Sequence, residues 1–223
     1  MAMKLHELHP SMIHAPLVLL PAAAAVDLVA AQTFRPRTAR LGAKLWWWGT
    51  GAGLLAGLAG MAASQEVKGG NKEVDDAMYL HGIGNLGLVI AAAGMAIFRT
   101  SRRPSVASAT IGLAACGAAI YTAYLGGELV YGSSVGVKAM SDQAKSGVQP
   151  GVPDVLSAEA PLRLLSDALK GLNWLLGRTV ELLRGEKPLE KGALTGGEPP
   201  VVPGPMTSKS PSQGDLLAPP IPH

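Results

Sequence analysis

Four apolar stretches fall within the first 131 residues, each long enough to cross the hydrocarbon of a bilayer as a helix, and short charged segments separate them. They predict helices over about residues 12–34, 45–63, 77–98 and 106–131. The fold class that follows is all-α: a four-helix transmembrane bundle over residues 1–138, with an extramembrane amphipathic helix and a disordered C-terminal tail behind it. A linker occupies 139–156. From Ser157 to about Gly185 a stripe of Leu162, Leu165, Leu169, Leu172, Leu176, Val180 and Leu183 recurs at helical spacing, with charges on the other faces. Pro161 suits the first turn of that helix and Gly185 its stop. The helix carries too much charge to span, and its spacing leaves three partners open: the membrane surface, the bundle, or a partner helix.

Composition sharpens this division. Nine of the 17 prolines lie between Pro188 and Pro222, so residues 186–223 cannot build a packed core and are expected to be disordered. The sequence pI of about 9.1 would suit an anionic partner in a water-soluble protein, but here the basic residues sit in short loops beside apolar stretches. That arrangement is a topology signal, and it argues against nucleic acid as a partner. Arg35, Arg37, Arg40 and Lys44 follow the first stretch, and Arg99, Arg102 and Arg103 follow the third; both loops should face the cytoplasm. The acidic segment with Glu66, Glu73, Asp75 and Asp76 then faces outward, as do both termini. Trp46, Trp47 and Trp48 are expected at the cytoplasmic interface, and Tyr79, Tyr121, Tyr124 and Tyr131 toward the outer one. The chain is thereby expected to be a multi-pass protein of a bacterial inner membrane, with the lipid bilayer as its first partner. "MAMKLHELHP" lacks the basic n-region of a removable signal peptide. Cys116 is a lone, small core residue.

Glycine marks the helix contacts: Gly49, Gly53, Gly57 and Gly60 in the second helix, Gly82, Gly84, Gly87 and Gly94 in the third, and Gly112, Gly117, Gly126 and Gly127 in the fourth. Such residues either let backbones approach closely or leave room for a flat cofactor. The histidines bear on that choice. His6 and His9 precede the first helix, His14 lies just inside it, and His81 lies about one turn inside the third. These two helices run in the same direction, so His14 and His81 fall at similar depth and can face each other. Two opposed imidazoles supply the axial ligands of a b-type haem, so His14 and His81 are the candidate cofactor-binding pair, with the haem iron as the metal. The alternative is that each ring bonds a carbonyl or caps a helix. A zinc or other metal site from His14, His81 and Glu128 is a further alternative, with His9 and Glu128 as the weaker ligands; no i, i+3 or i, i+4 pair supports it. Asp27, one to two turns inside the cytoplasmic end, needs Arg35 or another loop arginine as its partner.

"HPSMIHAP" at residues 9–16, "HGIGN" at 81–85 and "YLGGELVYGSSVGV" at 124–137 resemble the domain of unknown function 2231 family over about residues 5–138. The resemblance implies a four-helix bacterial membrane protein of unassigned activity whose histidines are reminiscent of membrane b-type cytochromes. Carried over by motif, His9, His14, His81 and Glu128 are the family-like positions. The family usually places another histidine after "GGELVY", where this chain has Gly132, Ser133 and Ser134, which puts a second haem or metal site in doubt.

No nucleotide loop, catalytic triad or paired-cysteine site is present, and the chain is not expected to be an enzyme by itself. Two functional classes remain: an electron-transfer subunit holding haem b near the outer face and serving a membrane or periplasmic redox partner, and a cofactor-free accessory or scaffold protein.

Overall fold

The computed structural model describes residues 3–67, 70–136 and 151–197. The segment 137–150 and the proline-rich stretch from 198 onward, which includes His223, lie outside the described residues. Helices come in the order α1 (Leu8–Met12), α2 (His14–Thr33), α3 (Pro36–Glu66), α4 (Lys72–Ser101), α5 (Val106–Gly127) and α6 (Ala160–Leu183), and no strand occurs among the described residues. The short π turn Glu128–Gly132 extends α5, and 3₁₀ turns occupy Leu5–Glu7 and Lys191–Thr195. The bundle of α2 to α5 is the four-helix core expected from the apolar stretches.

Local chemistry sets the boundaries. Pro16 has no N–H for the Met12 carbonyl, and the chain breaks helical continuity at Ile13, between α1 and α2. α2 ends at Phe34 in the left-handed conformation, with φ 54, and Pro36 at N1 begins α3 at once. The basic segment expected as a loop therefore forms the first turns of α3, because Ala39, Arg40, Leu41, Ala43 and Lys44 are good helix formers. Asn71 caps α4 by accepting from the Val74 N–H at 2.9 Å, and Ser105 and Ser108 form a reciprocal cap on α5. Three helical stretches, Leu5–Thr33, Lys72–Ser101 and Val106–Gly132, are long and apolar enough to cross a membrane. α3 is as long, but its three tryptophans, its glycines and its basic first turns dilute its hydropathy.

α3 holds α2 through a stripe of missing side chains. A Cβ on Gly42 would strike Asp27, on Gly49 Leu20, on Gly53 it would approach Pro16 and Val89, and on Gly60 it would strike His9. These glycines are separated by seven, four and seven positions, and so are their antiparallel partners Asp27, Leu20, Pro16 and His9. Eighteen residues make about five complete turns, so the stripe stays straight along one helix face. Gly57, grouped with the stripe by its spacing, meets nothing within 4 Å.

At one end, hereafter the tryptophan end, the Asp27 carboxylate is fully buried and accepts from Arg99 Nε at 2.7 Å and from Trp46 Nε1 at 2.9 Å. Arg99 Nη2 also donates to the Ala39 carbonyl at 2.9 Å, and Nη1 to that of Arg102. Asp27 thus takes its partner from the last turn of α4, not from Arg35. Trp46, expected at the membrane interface, is buried with it, while Trp47 and Trp48 are exposed.

At the other end, the histidine end, α6 crosses the ends of α3 and α4. It packs by Ala160, Ala168, Gly171 and Leu175, not by the leucine stripe: Leu162 and Leu183 are 76% and 81% exposed. Gly171 sits on the Met61 carbonyl so closely that any Cβ would collide with it. Arg178 donates to Asp76 at 2.6 Å and lies over the Tyr79 ring, whose hydroxyl is 3.0 Å from Thr179 Oγ1. The expected disorder from residue 186 onward is corrected for 186–197: Ala193 is fully buried, Glu190 N–H donates to Asp76 at 3.0 Å, and Tyr121 and Tyr124 hydroxyls reach the carbonyls of Leu194 and Thr195. Residues 186–197 contain one proline, Pro188, and Lys191–Thr195 contains none, so a turn can close there.

Glu66, at the end of α3 beneath α6, is 1% exposed, and neither carboxylate oxygen has a hydrogen-bond partner among the described residues. Burial, then the nearby Asp167 carboxylate, push its pKa up to about 7, against a smaller opposing pull from Arg163.

Two predictions follow from these two carboxylates. Asp27→Ala strands the Arg99 guanidinium in an apolar interior and is expected to cost about 3–5 kcal/mol, read as a lowered melting temperature in detergent. For Glu66 the folded pKa lies above the ordinary 4.5, so the folded state binds the extra proton. Its stabilising contribution is complete below about pH 4.5 and lost as pH rises through about 7. Melting temperature should therefore fall across that window more steeply in the native chain than in Glu66→Gln; parallel slopes would refute the assignment.

Candidate functional site

Besides the Asp27 cluster, a second group of polar side chains lies inside the bundle near the histidine end, on α1, α4 and α5. His9 is delivered by α1, the short helix ahead of the Ile13 break, and leans into the space beside Gly60 of α3. His81, on the third turn of α4, leans into the space beside Gly126 of α5. The two rings meet edge to face, with centroids 6.0 Å apart and planes at 84°.

Backbone carbonyls determine what each ring offers. His9 Nδ1 lies 2.8 Å from the Ala56 carbonyl, and His81 Nδ1 lies 2.8 Å from the Thr122 carbonyl. A carbonyl only accepts, so Nδ1 carries the proton in both neutral rings and Nε2 keeps the basic lone pair. Both imidazoles are therefore held in the tautomer that ligates through Nε2. Around His81 a smaller network closes. Asn85 Nδ2 donates to the His81 carbonyl at 2.9 Å and lies 3.2 Å from His81 Nε2, while Thr122 Oγ1 donates to Asn85 Oδ1 at 3.1 Å. Gly84 lets the Thr122 methyl approach, since a Cβ there would clash with it.

The pairing differs from the expected one. His14 is the first residue of α2 and is exposed, whereas His9 supplies the ring against His81. His9 and His14 lie five residues apart, a rotation of about 140° on one helix, so both cannot face α4. Helix face decides which of the two lies against His81. The register of the α3 glycines was the available signal: counting back from Asp27 by seven, four and seven reaches His9.

Glu128 does not join either histidine. It begins the π turn, packed beside Gly132 and beneath the Gly196 backbone. Among the described residues, no group of three or more His, Cys, Asp or Glu side chains is placed to hold a metal ion. The three-ligand arrangement of His14, His81 and Glu128 is thus not assembled: one side chain faces outward and another is held under the 3₁₀ turn. Several glycines considered as cofactor room are instead filled by neighbours: Gly60 by His9, Gly82 by Leu175, Gly112 by Trp46 and Gly126 by His81. Gly87, Gly94, Gly117 and Gly127 face open space within 4 Å.

Residues 5–139 match the family model described as "Predicted membrane protein (DUF2231)". No curated protein and no solved structure matches the chain.

Glycine substitution separates filled clefts from open ones. Gly60→Ala and Gly126→Ala push Cβ to within 2.8 Å of a histidine ring, and each is expected to lower stability by about 1–3 kcal/mol. Gly57→Ala and Gly117→Ala meet no neighbour and should raise it by about 0.5–1 kcal/mol through helix propensity. Thermal melts of the four variants test this contrast.

Proposed function

The chain belongs to the DUF2231 family of membrane proteins, and from that premise we propose that its bundle is an electron-transfer subunit that binds a b-type haem through His9 and His81. The observation that carries this reading is the meeting of two imidazoles from separate helices, each with Nδ1 fixed on a backbone carbonyl and Nε2 left basic. Such a haem supplies a one-electron carrier. The chain's own part is to present two pre-oriented nitrogens, to keep their tautomers through Ala56 and Thr122, and to exclude water with apolar helices. The Asn85 amide is the group that must yield Nε2 of His81 to a ligand. His14, outward on α2, has no part in this site.

The same reading places the histidine end on the periplasmic side of a bacterial inner membrane, facing a membrane or periplasmic redox partner. Support comes from the six cations Arg35, Arg37, Arg40, Lys44, Arg102 and Arg103 in short segments at the tryptophan end, against two, Lys68 and Lys72, in the acidic segment that joins α3 to α4 at the histidine end.

A second reading, a cofactor-free accessory or scaffold protein, is favoured by the packing of both rings into glycine clefts and by the amide at Nε2. The absorption spectrum of detergent-purified protein, expressed with ample haem, separates the two. The haem reading expects a Soret band that is retained in His14→Ala and lost in His9→Ala and in His81→Ala, with each variant monodisperse. A native protein without the band, or a band unchanged in both of the latter variants, overturns it.

A further inference from the structure

α6 carries three distinct faces, and their order around the helix says what covers the one left bare. At about 100° per residue, the side chains against the bundle (Asp167, Ala168, Gly171, Leu175, Arg178) centre on one direction. The exposed leucines Leu162, Leu165, Leu169 and Leu176 centre roughly 140° to one side of it, and the charged Arg163, Lys170, Glu181 and Arg184 roughly 110° to the other. Apolar and charged faces therefore flank the seam with the bundle instead of lying opposite it.

The contacts along the seam show which flank points toward the bilayer core. Where α6 crosses α3, Asp167, on the charged side of the seam, interacts with Glu66 at the helix end, while Gly171, nearer the leucines, sits on Met61, five residues further in. Where it crosses α4, Arg178, on the charged side, binds Asp76, while Leu175, on the leucine side, packs on Gly82, six residues further in. These differences correspond to about 7 Å and 9 Å of depth. At both crossings the leucine flank is the deeper one. Leu58 and Leu54, the next exposed apolar residues on the Met61 face of α3, continue that surface down the bundle.

The geometry points to α6 as an in-plane membrane helix: it lies against the rim of the bundle at the histidine end, with its leucine stripe in the acyl chains of the adjacent leaflet and its charged flank in water. The occupant of the bare face is lipid, because that face is continuous in depth and character with the surface the transmembrane helices present to lipid. Water on the charged flank satisfies Arg163 and Lys170, both already paired to the buried Asp167 at 2.6 and 2.8 Å. The inference is independent of any haem.

Site-directed spin labelling of the full chain in phosphatidylcholine vesicles tests it. Cys116→Ala provides the background, with single cysteines replacing Leu165, Leu169 or Leu176 on one flank and Ser166 or Gly177 on the other, all exposed positions. The ratio of oxygen to water-soluble nickel-chelate accessibility should be several-fold higher on the leucine flank, and nitroxide lipids should quench fluorophores there most strongly. Two results overturn the inference. One is equal nickel accessibility on both flanks, meaning the stripe stands in water. The other is leucine-flank labels shielded from both reagents with spin–spin broadening between copies, meaning a second chain covers the stripe.

Discussion

The close approach of α3 to α2 is the constraint from which both ends of the bundle take their shape. Helices in lipid gain little from burying leucine against leucine, because the acyl chains are equally apolar; they associate where small residues permit dense packing and where polar groups can pair. α3 meets that condition with Gly42, Gly49, Gly53 and Gly60, and α2 with α1 answers with Asp27, Leu20, Pro16 and His9 in the same rhythm. The terminal members of this register are the polar ones. Gly42 admits the Asp27 carboxylate, which then draws Arg99 and Trp46 inward, and Gly60 admits the His9 ring, which then meets His81.

The two polar clusters solve the same desolvation problem differently. At the tryptophan end, opposite charges cancel: Asp27 takes both Arg99 and Trp46, and other guanidinium protons go to the carbonyls of Ala39, in the first turn of α3, and Arg102, just past α4. At the histidine end no counter-charge meets the rings. Neutral imidazoles use the carbonyls of Ala56 and Thr122, both within helices whose own ladder hydrogen bonds leave a lone pair spare. A fully cancelled ion pair has nothing left to offer a ligand, whereas a neutral ring fixed at Nδ1 keeps Nε2 basic.

Much of this was legible in the chain. The four apolar runs and the need of Asp27 for an arginine both rest on local rules that the membrane does not alter. The site was half legible. His14 was favoured over His9 as the neighbour of His81 because position along a helix is linear in sequence, whereas facing depends on the register against α3. The order within residues 186–197 was hidden because it is imposed from outside: Asp76, Tyr121 and Tyr124 hold a turn that its own proline-rich context does not favour.

Which face of α6 docks was left open by the sequence for a more general reason. A stripe of leucines on a charged helix marks the buried face when water is the surrounding solvent, since burial removes the most apolar area from it. Beside a transmembrane bundle that comparison changes, because leucine loses nothing by facing acyl chains, and packing it against the bundle would keep the helices apart. The face that gains from contact is then the one with least side chain and most polarity: Gly171 on the Met61 carbonyl, Arg178 on Asp76, Thr179 on Tyr79. These groups would each cost free energy in lipid and each find a partner on α3 or α4. The helix therefore docks by its small and polar residues and leaves its leucines outside, the same rule by which α3 docks on α2.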